Sequence, residues 1–526
     1  MTSPAANADL ILAIDNGTQS IRAILFDLSG NIVAKSQIGF KPYHAPQPGW
    51  AEQDPNYFWQ QLGNVCQQLW QQANGQKERV AAVVLTTQRG TVINVDQKGN
   101  PLRPAITWMD NRRTLGAKPD LSLKWQLAFR LAGLTETINY FTAEAEAVWI
   151  ARHEPDIFER THKFLLLSGY LTYKLCGRFV DSAASQVGYI PYDYKRFAWC
   201  RPNDWKWEIL AALQRDYMPD LVPPGSILGE ITAEASLATG IPEKLPLIAG
   251  AADKACESLG SGALHPQVAS LSFGTTTSIS TTQAKYVEPI RLIPPYPAAV
   301  PDHYSLEISV FRGFWMISWF KDEFAHLEKS RAQGSNQSVE ELFEEMVSTI
   351  PAGSMGLMLQ PYWAPGLKIP GPEAKGAIIG WGDAHTRAHM YRAILEGLVY
   401  ALREGGERIE KRSGKKITSL MISGGGSQSD TAMQIGADVF GIPAARPHIY
   451  ETSALGAAID GAVGTGLHAD FSSAVKAMTR TGQVFEPNAS NHQIYIELYE
   501  RVYKKMYAQL RQFYRDIRDI VGYPAA

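Results

Sequence analysis

Leu12 to Ser20 reads LAIDNGTQS, and about 250 residues later Ser270 to Ser278 reads SLSFGTTTS. In both places an apolar run of the kind that forms a buried strand breaks into a turn of glycine and small hydroxyl residues, then resumes as a second strand. Around the first, LILAID, NGTQS, IRAILFD, LSGN and IVAKSQIGF follow one another as a meander with short turns. Around the second, VASLSFGTTTSISTT repeats that opening just after LGSGALHPQ. A chain that begins twice in the same way is predicted to be two similarly wound α/β halves, each presenting one Gly-Thr turn at a shared cleft. The boundary is expected between Gly260 and Pro266, dividing the chain into residues 1–262 and 263–526. Length points the same way, because a single core stops growing near ~250–300 residues and this chain has 526.

Between the two openings the pattern alternates. Asp54-Pro55 reads as an N-cap with proline at the first helical position, after which Phe58, Leu62, Val65 and Leu69 recur at helical spacing. RVAAVVLTTQRG is a buried strand with a polar end, and GTVINVDQKGNPLRPAITWMDNRR reads as a further hairpin with a Gly-Asn turn. Later, MYRAILEGLVYALREGGERIEKR is helical and ITSLMISGGGSQSD is a buried strand ending in glycines. Near the end, a helix from about Asn491 to Val521 places Tyr495, Tyr499, Tyr503 and Tyr507 every fourth residue, a stripe read as packing.

The formal net charge of −2, with 19% charged residues, gives no field that would recruit nucleic acid or anionic lipid, so a small-molecule ligand is expected. Cys66, Cys176, Cys200 and Cys256 have no CxxC spacing, which fits reduced thiols rather than a zinc site or a disulfide framework. MTSPAANAD lacks the build of a signal peptide, and no apolar run reaches ~18 residues. A soluble cytoplasmic protein without membrane or nucleic-acid partners is expected.

No G-x-x-x-x-G-K-[ST] motif occurs, and GTGLHA from Gly464 to Ala469 fits G-x-G-x-x-A only by trailing a helical stretch. Three glycine turns remain, each directly after an apolar strand: Gly17-Thr18, Gly274-Thr275-Thr276, and Gly424-Gly425-Gly426-Ser427. Such turns let backbone N–H groups converge on phosphate oxygens, since glycine tolerates unusual φ and close approach. Asp15 stands immediately before the first. A carboxylate there repels phosphate unless magnesium or an activated water lies between them, although an acid capping its own turn has the same sequence signature.

AIDNGTQSIRAILFD, PGWAEQDP, AGAADKACESLGSG, SFGTTTSI and SGGGSQSD stand in an order and spacing that resembles the FGGY carbohydrate kinases, over roughly residues 10 to 470. The resemblance implies two ribonuclease-H-like domains of the actin-like ATPase superfold closing over ATP, magnesium and a sugar or polyol. It assigns Gly17, Thr18, Gln19 and Ser20 to a first phosphate loop, with Asp15 near the magnesium. Gly274, Thr275 and Thr276 fall on a second phosphate loop, and Gly424, Gly425, Gly426, Ser427 and Gln428 on an adenosine turn. Gly313, in FRGFWMISWF, matches a glycine beside the nucleotide, with one residue too many before Trp319. Asp253 matches the general base. The chemistry supports that role independently: phosphoryl transfer to a hydroxyl is mostly positioning and charge stabilisation, with one carboxylate to accept the hydroxyl proton. Asp253 follows the buried strand LPLIAGAA and opens a helical segment whose N-terminus favours its ionised form.

The acceptor pocket is expected on TTQRG, TWMDNRR and NYFTAE, with Gln88, Arg89, Trp108, Asp110, Tyr140, Asp253 and Lys254 as candidates. Arg89 can donate paired hydrogen bonds to vicinal hydroxyls or sit in a surface ion pair; Trp108 and Tyr140 can wall the pocket or fill the core. The set resembles glycerol kinases with two departures. Gly90 stands where they place Glu, and Lys254 where they place Gln. The Met-His pair of xylulokinases is also absent, which leaves a different polyol or keto-sugar. Lys254 is open to a substrate carbonyl or acid group and equally to a salt bridge. A homodimer is an admissible assembly. The competing reading is a non-catalytic or regulatory ATP-binding protein of the same superfold, which would have no use for an acid poised as Asp253 is.

Overall fold

The computed structural model describes residues 8–523 apart from 74, 211, 212, 365 and 367–369. β1 (Leu10–Asn16), β2 (Ser20–Asp27) and β3 (Ile32–Gly39) form the expected antiparallel meander. α1 (Pro55–Gln72) follows, its first turn capped by the Asp54 carboxylate accepting from the Asn56 N–H, and it buries Phe58, Leu62, Val65 and Leu69 against the sheet. β4 (Val80–Thr87) then pairs parallel to β1, and every residue of both strands is buried, as strands covered by helices on both faces must be. α2 (Thr135–Glu144) lies in an excursion, β5 (Ile227–Glu230) forms the sheet edge, and β6 (Pro246–Ala252) pairs parallel to β4. The order is β5-β6-β4-β1-β2-β3. Val92–Val95 and Ala105–Ile106, read from sequence as one more hairpin, pair through Val92 and Ile106 alone and belong to a separate four-stranded sheet with Glu52–Gln53 and Lys163–Leu166.

α3 (Asp253–Gly260) leads out of the first sheet, and the second begins at β7 (Val268–Phe273), β8 (Thr277–Gln283), β9 (Tyr296–Pro297) and β10 (Tyr304–Val310). β11 (Ser419–Ser423) and β12 (Ala444–Pro447) add in parallel, and β13 (Thr481–Phe485) closes the edge antiparallel. The order β9-β10-β8-β7-β11-β12-β13 repeats the first sheet: meander, two parallel strands, antiparallel edge. The edge strand precedes its parallel neighbour in the first half and follows it in the second.

Two helices tie the halves together. α4 (Thr452–Gly464), from the second half, packs on β1, β4 and β6 of the first sheet and against α3, which also touches β8. The crossing depends on two glycines: a Cβ at Gly456 would stand 1.9 Å from the Cys256 carbonyl oxygen, and one at Gly260 2.0 Å from that of Thr452. The C-terminal helix runs Ala489–Leu498, a π turn Tyr499–Tyr503, then Lys504–Val521. Residues four apart drift about 40° per step around an α-helix of 3.6 residues per turn; the wider π turn rewinds that drift, and Tyr495, Tyr499, Tyr503 and Tyr507 all stay buried. The four cysteines are buried free thiols. Among the described residues no helix is long and apolar enough to cross a membrane.

Candidate active site

The first glycine turn joins β1 to β2. Asp15 and Arg22 face each other across the ladder, and Arg22 Nη1 donates to Asp15 Oδ2 at 3.0 Å. Glu451, just before α4, lies 3.2 Å from Arg22 Nε and also pairs with Lys35, so the second half holds the arginine of the first turn. Burial pushes the Asp15 carboxyl from 3.8 up to about 6; Arg22 opposes the shift, while Asp253 and Glu451 add to it. Arg22 therefore supplies part of the compensation that the sequence left to magnesium. Thr18 Oγ1 accepts from Trp108 Nε1 at 3.1 Å, Gln19 is exposed, and buried Ser20 accepts weakly from Gln37 at 3.4 Å.

The expected acceptor residues are continuous with this turn. The Gln88 N–H donates to the Asn16 carbonyl at 3.0 Å, and Gln88 Oε1 accepts from Trp108 Nε1 at 3.0 Å, so one indole ties the first glycine turn to the end of β4. Arg89 donates to Glu307 of β10 through both terminal nitrogens, at 3.1 and 2.8 Å, with its guanidinium 5.0 Å from the Tyr296 ring centroid. This is neither a surface ion pair nor a free guanidinium; it bridges the two sheets, and the remaining N–H donors are available to a ligand. Tyr140, on α2, accepts from Arg113 at 3.4 Å under the Arg113–Glu144 pair, and burial pushes its phenol up to about 12. Asp110 is tied into its own loop. Its carboxylate accepts from the Ala51 N–H, the Arg112 N–H and two Arg112 guanidinium N–H groups at 2.6–2.8 Å, which occupies it in shaping its loop. Gly90 has φ +67°, and a Cβ there would touch Trp108, so glutamate at this position meets both strain and a wall.

Asp253 is the first residue of α3, with Ala252 as the N-cap and Oδ1 accepting the Lys254 N–H at 2.7 Å. Burial raises its carboxyl above the ordinary 3.8, while Arg89 and Lys254 pull it down. The helix terminus thus does not act alone on its charge; the two cations do most of the opposing. Lys254 reaches the other way: Nζ donates to Glu257 Oε2 at 2.8 Å and to Ser272 Oγ at 2.5 Å. Burial opposes its charge, but Glu257 and Asp253 prevail and hold its pKa above 10.5.

The second and third glycine turns lie side by side because β7 and β11 are parallel neighbours. A Cβ at Gly424, where φ is +86°, would stand 2.9 Å from the Phe273 carbonyl carbon and 3.1 Å from the Gly274 N. Thr275 is exposed and Thr276 donates to the Phe311 carbonyl at 3.2 Å. Gly425 faces open space, while Gly426 presses on the Phe314 ring, which stacks on Phe273 with centroids 4.6 Å apart. Ser427 turns inward to the Gly424 carbonyl at 2.7 Å, and Gln428 is exposed. Gly313 is buried with its Cα against Thr277, where a Cβ would come within 2.4 Å, and its N–H donates to the Thr275 carbonyl, so it seats the segment 311–314 on the second glycine turn.

Sequence reasoning passed over Glu307, Tyr296, Glu257, Ser272 and Arg446. Arg446 donates to the carbonyls of Ser427 and Gln428 at 2.5 and 3.2 Å and to Asp430 at 2.6 Å, bracing the third turn. The available signal was a charge inside a buried element: Glu307 within YSLEISV and Arg446 within AARP.

Two family models match the chain: residues 10–260 the N-terminal domain, and residues 269–465 the C-terminal domain, of the FGGY family of carbohydrate kinases. An uncharacterised sugar kinase of Escherichia coli (strain K12), YgcE, is 31% identical over 504 residues, covering 94% of this chain and 93% of its own. A xylulose kinase of Staphylococcus epidermidis (strain ATCC 35984) is 29% identical over 527 residues, covering 98% and 99%. The ligand-bound xylulose kinase of Lactobacillus acidophilus has the same fold, with a TM-score of 0.80 at 23% identity, covering 97% of this chain and 99% of its own.

Proposed function

The chain belongs to the FGGY family of carbohydrate kinases, and on that premise we propose that it transfers the γ-phosphoryl group of ATP to a hydroxyl of an uncharged sugar or polyol, with Asp253 as general base. We assign residues 1–262 to the sugar side and 263–526 to the nucleotide side. The observation that carries the reading is the position of Asp253. It stands at the start of α3, with Asp15 of the first turn and Arg89 of the acceptor wall both within electrostatic reach. A hydroxyl oriented by Arg89 and Gln88 over the Trp108 face gives its proton to Asp253 as its oxygen bonds to phosphorus and the bond from phosphorus to the β-phosphate oxygen breaks. The glycine turns supply the N–H groups that hold the phosphate chain, and Arg446 keeps the adenosine turn in place.

Magnesium fits the donor set. Among the described residues no three His, Cys, Asp or Glu side chains cluster, but the ion commonly takes one carboxylate, phosphate oxygens and waters. Asp15, with one oxygen on Arg22, is that carboxylate, and the ion would neutralise phosphate charge there. An uncharged acceptor is favoured because both cations at the pocket already have buried carboxylate partners, Arg89 with Glu307 and Lys254 with Glu257. A purely ATP-binding member of the superfold would need none of the acceptor wall.

ADP release by the purified protein against pentuloses, hexuloses, heptuloses, glycerol, erythritol and gluconate tests this. Turnover is expected with a neutral ketose or polyol, and turnover with gluconate alone would overturn the uncharged acceptor. Asp253→Asn is expected to lose roughly 10²–10⁴ in kcat with ADP affinity little changed; undiminished turnover would remove Asp253 from the mechanism.

A further inference from the structure

Lys254 and Glu257, one helical turn apart on α3, form a buried ion pair whose contacts lie outside the acceptor pocket. Lys254 Nζ donates to Ser272 Oγ, and Ser423 Oγ donates to Glu257 Oε1 at 2.7 Å. Ser272 and Ser423 are register partners on neighbouring parallel strands, two residues before Gly274 and one before Gly424. The pair that begins beside the base therefore ends beneath both nucleotide turns. An ammonium carries three donors, and Glu257 and Ser272 take two. The Nζ lies 4.0 Å from the position a Cβ would occupy at Gly274, and the side chain keeps 20% of its surface exposed.

We propose that Lys254 is a catalytic residue that directs its third N–H at the transferring phosphoryl group, acting on the phosphate instead of on the sugar. The proposal rests on the kinase reading above and deepens it. The residue stays an ammonium throughout: the acceptor proton goes to Asp253, the leaving electron pair stays on the β-phosphate of ADP, and Lys254 neutralises charge on the equatorial oxygens as the bond to the leaving group lengthens. Glu257 and Ser272 are positioning residues that hold the ammonium beside Gly274.

The test compares wild type, Lys254→Met, Lys254→Arg and the double variant Lys254→Met with Glu257→Gln. The double variant is included because the single methionine strands Glu257 without its partner and can fail to fold for that reason alone. Binding of ADP and of the non-hydrolysable analogue AMP-PNP, each with magnesium, is measured by calorimetry beside kcat and acceptor KM. The expected result in both methionine variants is kcat lower by ~10²–10³, AMP-PNP weaker by ~10-fold, and ADP affinity and acceptor KM within about 3-fold of wild type, with Lys254→Arg recovering part of kcat. Two outcomes overturn the proposal: an acceptor KM that rises while AMP-PNP binding holds, which puts Lys254 on the sugar, or ADP and AMP-PNP weakened equally, which makes it a structural brace. If wild type binds neither nucleotide, the kinase reading itself fails, which is a separate result.

Discussion

As the proposed base, Asp253 would have to be ionised to accept a proton, and its burial raises the pH at which that happens. The acid limb of kcat/KM is therefore expected above the ordinary aspartate value of 3.8. Arg89 is the largest opposing influence, so Arg89→Ala should carry the limb further upward while slowing the reaction. A pH profile of the variant that moves down or stays fixed would separate Arg89 from the base. The place of Asp253 at a strand end and helix start was legible in sequence, from the apolar run, two alanines and the helical segment that follow one another there. The Glu307 that holds Arg89 was not, since nothing in YSLEISV says which residue lies across from it on another sheet. The Asp110 carboxylate shows the same limit in reverse: TWMDNRR advertises a polar loop, and only the fold reveals that Arg112 and Ala51 already occupy the acid.

Glycines carry the element scale, and they divide by what a side chain would meet. At Gly456 a Cβ collides with the backbone of α3 at 1.9 Å, so Gly456→Val is expected to cost more than the ~1–3 kcal/mol typical of an overpacked core and to lower the urea midpoint sharply. At Gly274 the nearest atoms are 3.4 Å away, Ser272 Oγ and the Thr276 carbonyl oxygen. Gly274→Val should therefore fold nearly as well as wild type yet lose at least ~10-fold in ADP affinity, because its methyls occupy the path of the phosphates. Calorimetry showing full affinity in that variant would place the nucleotide elsewhere. The strand-turn-strand openings and α1 were readable from period and capping. The small sheet around Val92–Val95 was not, because a hairpin pattern does not state which sheet it joins.

Across the whole molecule, two ion pairs and one hydrogen bond join the halves: Arg89 with Glu307, Arg22 with Glu451, and Lys254 with Ser272. Glu307 sits on β10, whose end leads into the segment seated on the second phosphate turn, so the acceptor wall and the nucleotide turn share one strand. Glu307→Gln is expected to weaken the coupling between acceptor and AMP-PNP binding, by a factor within the ~5–150-fold range usual for linked sites, more than it weakens either ligand alone. Titrating each ligand with and without the other measures this, and a coupling factor equal to wild type would show that closure runs through other contacts. Closure that depends on the acceptor should also keep ATP hydrolysis low until the sugar is bound.

Period and turn chemistry are local, so the sequence by itself determined two α/β halves with like openings, three glycine turns at strand ends, and an acid at the head of a helix. Which charges face one another depends on residues far apart in the chain, such as Arg89 and Glu307, which stand 218 positions apart, and no local pattern encodes such a meeting. Tertiary structure alone decided that Arg89 is held by Glu307, that Lys254 reaches Ser272 on the second sheet, and that Gly313 packs against Thr277. The reason is geometric: α4 of the second half packs on the first sheet and crosses α3 so closely that a side chain at Gly456 or Gly260 would collide with backbone, and this packing brings residues of the two halves together.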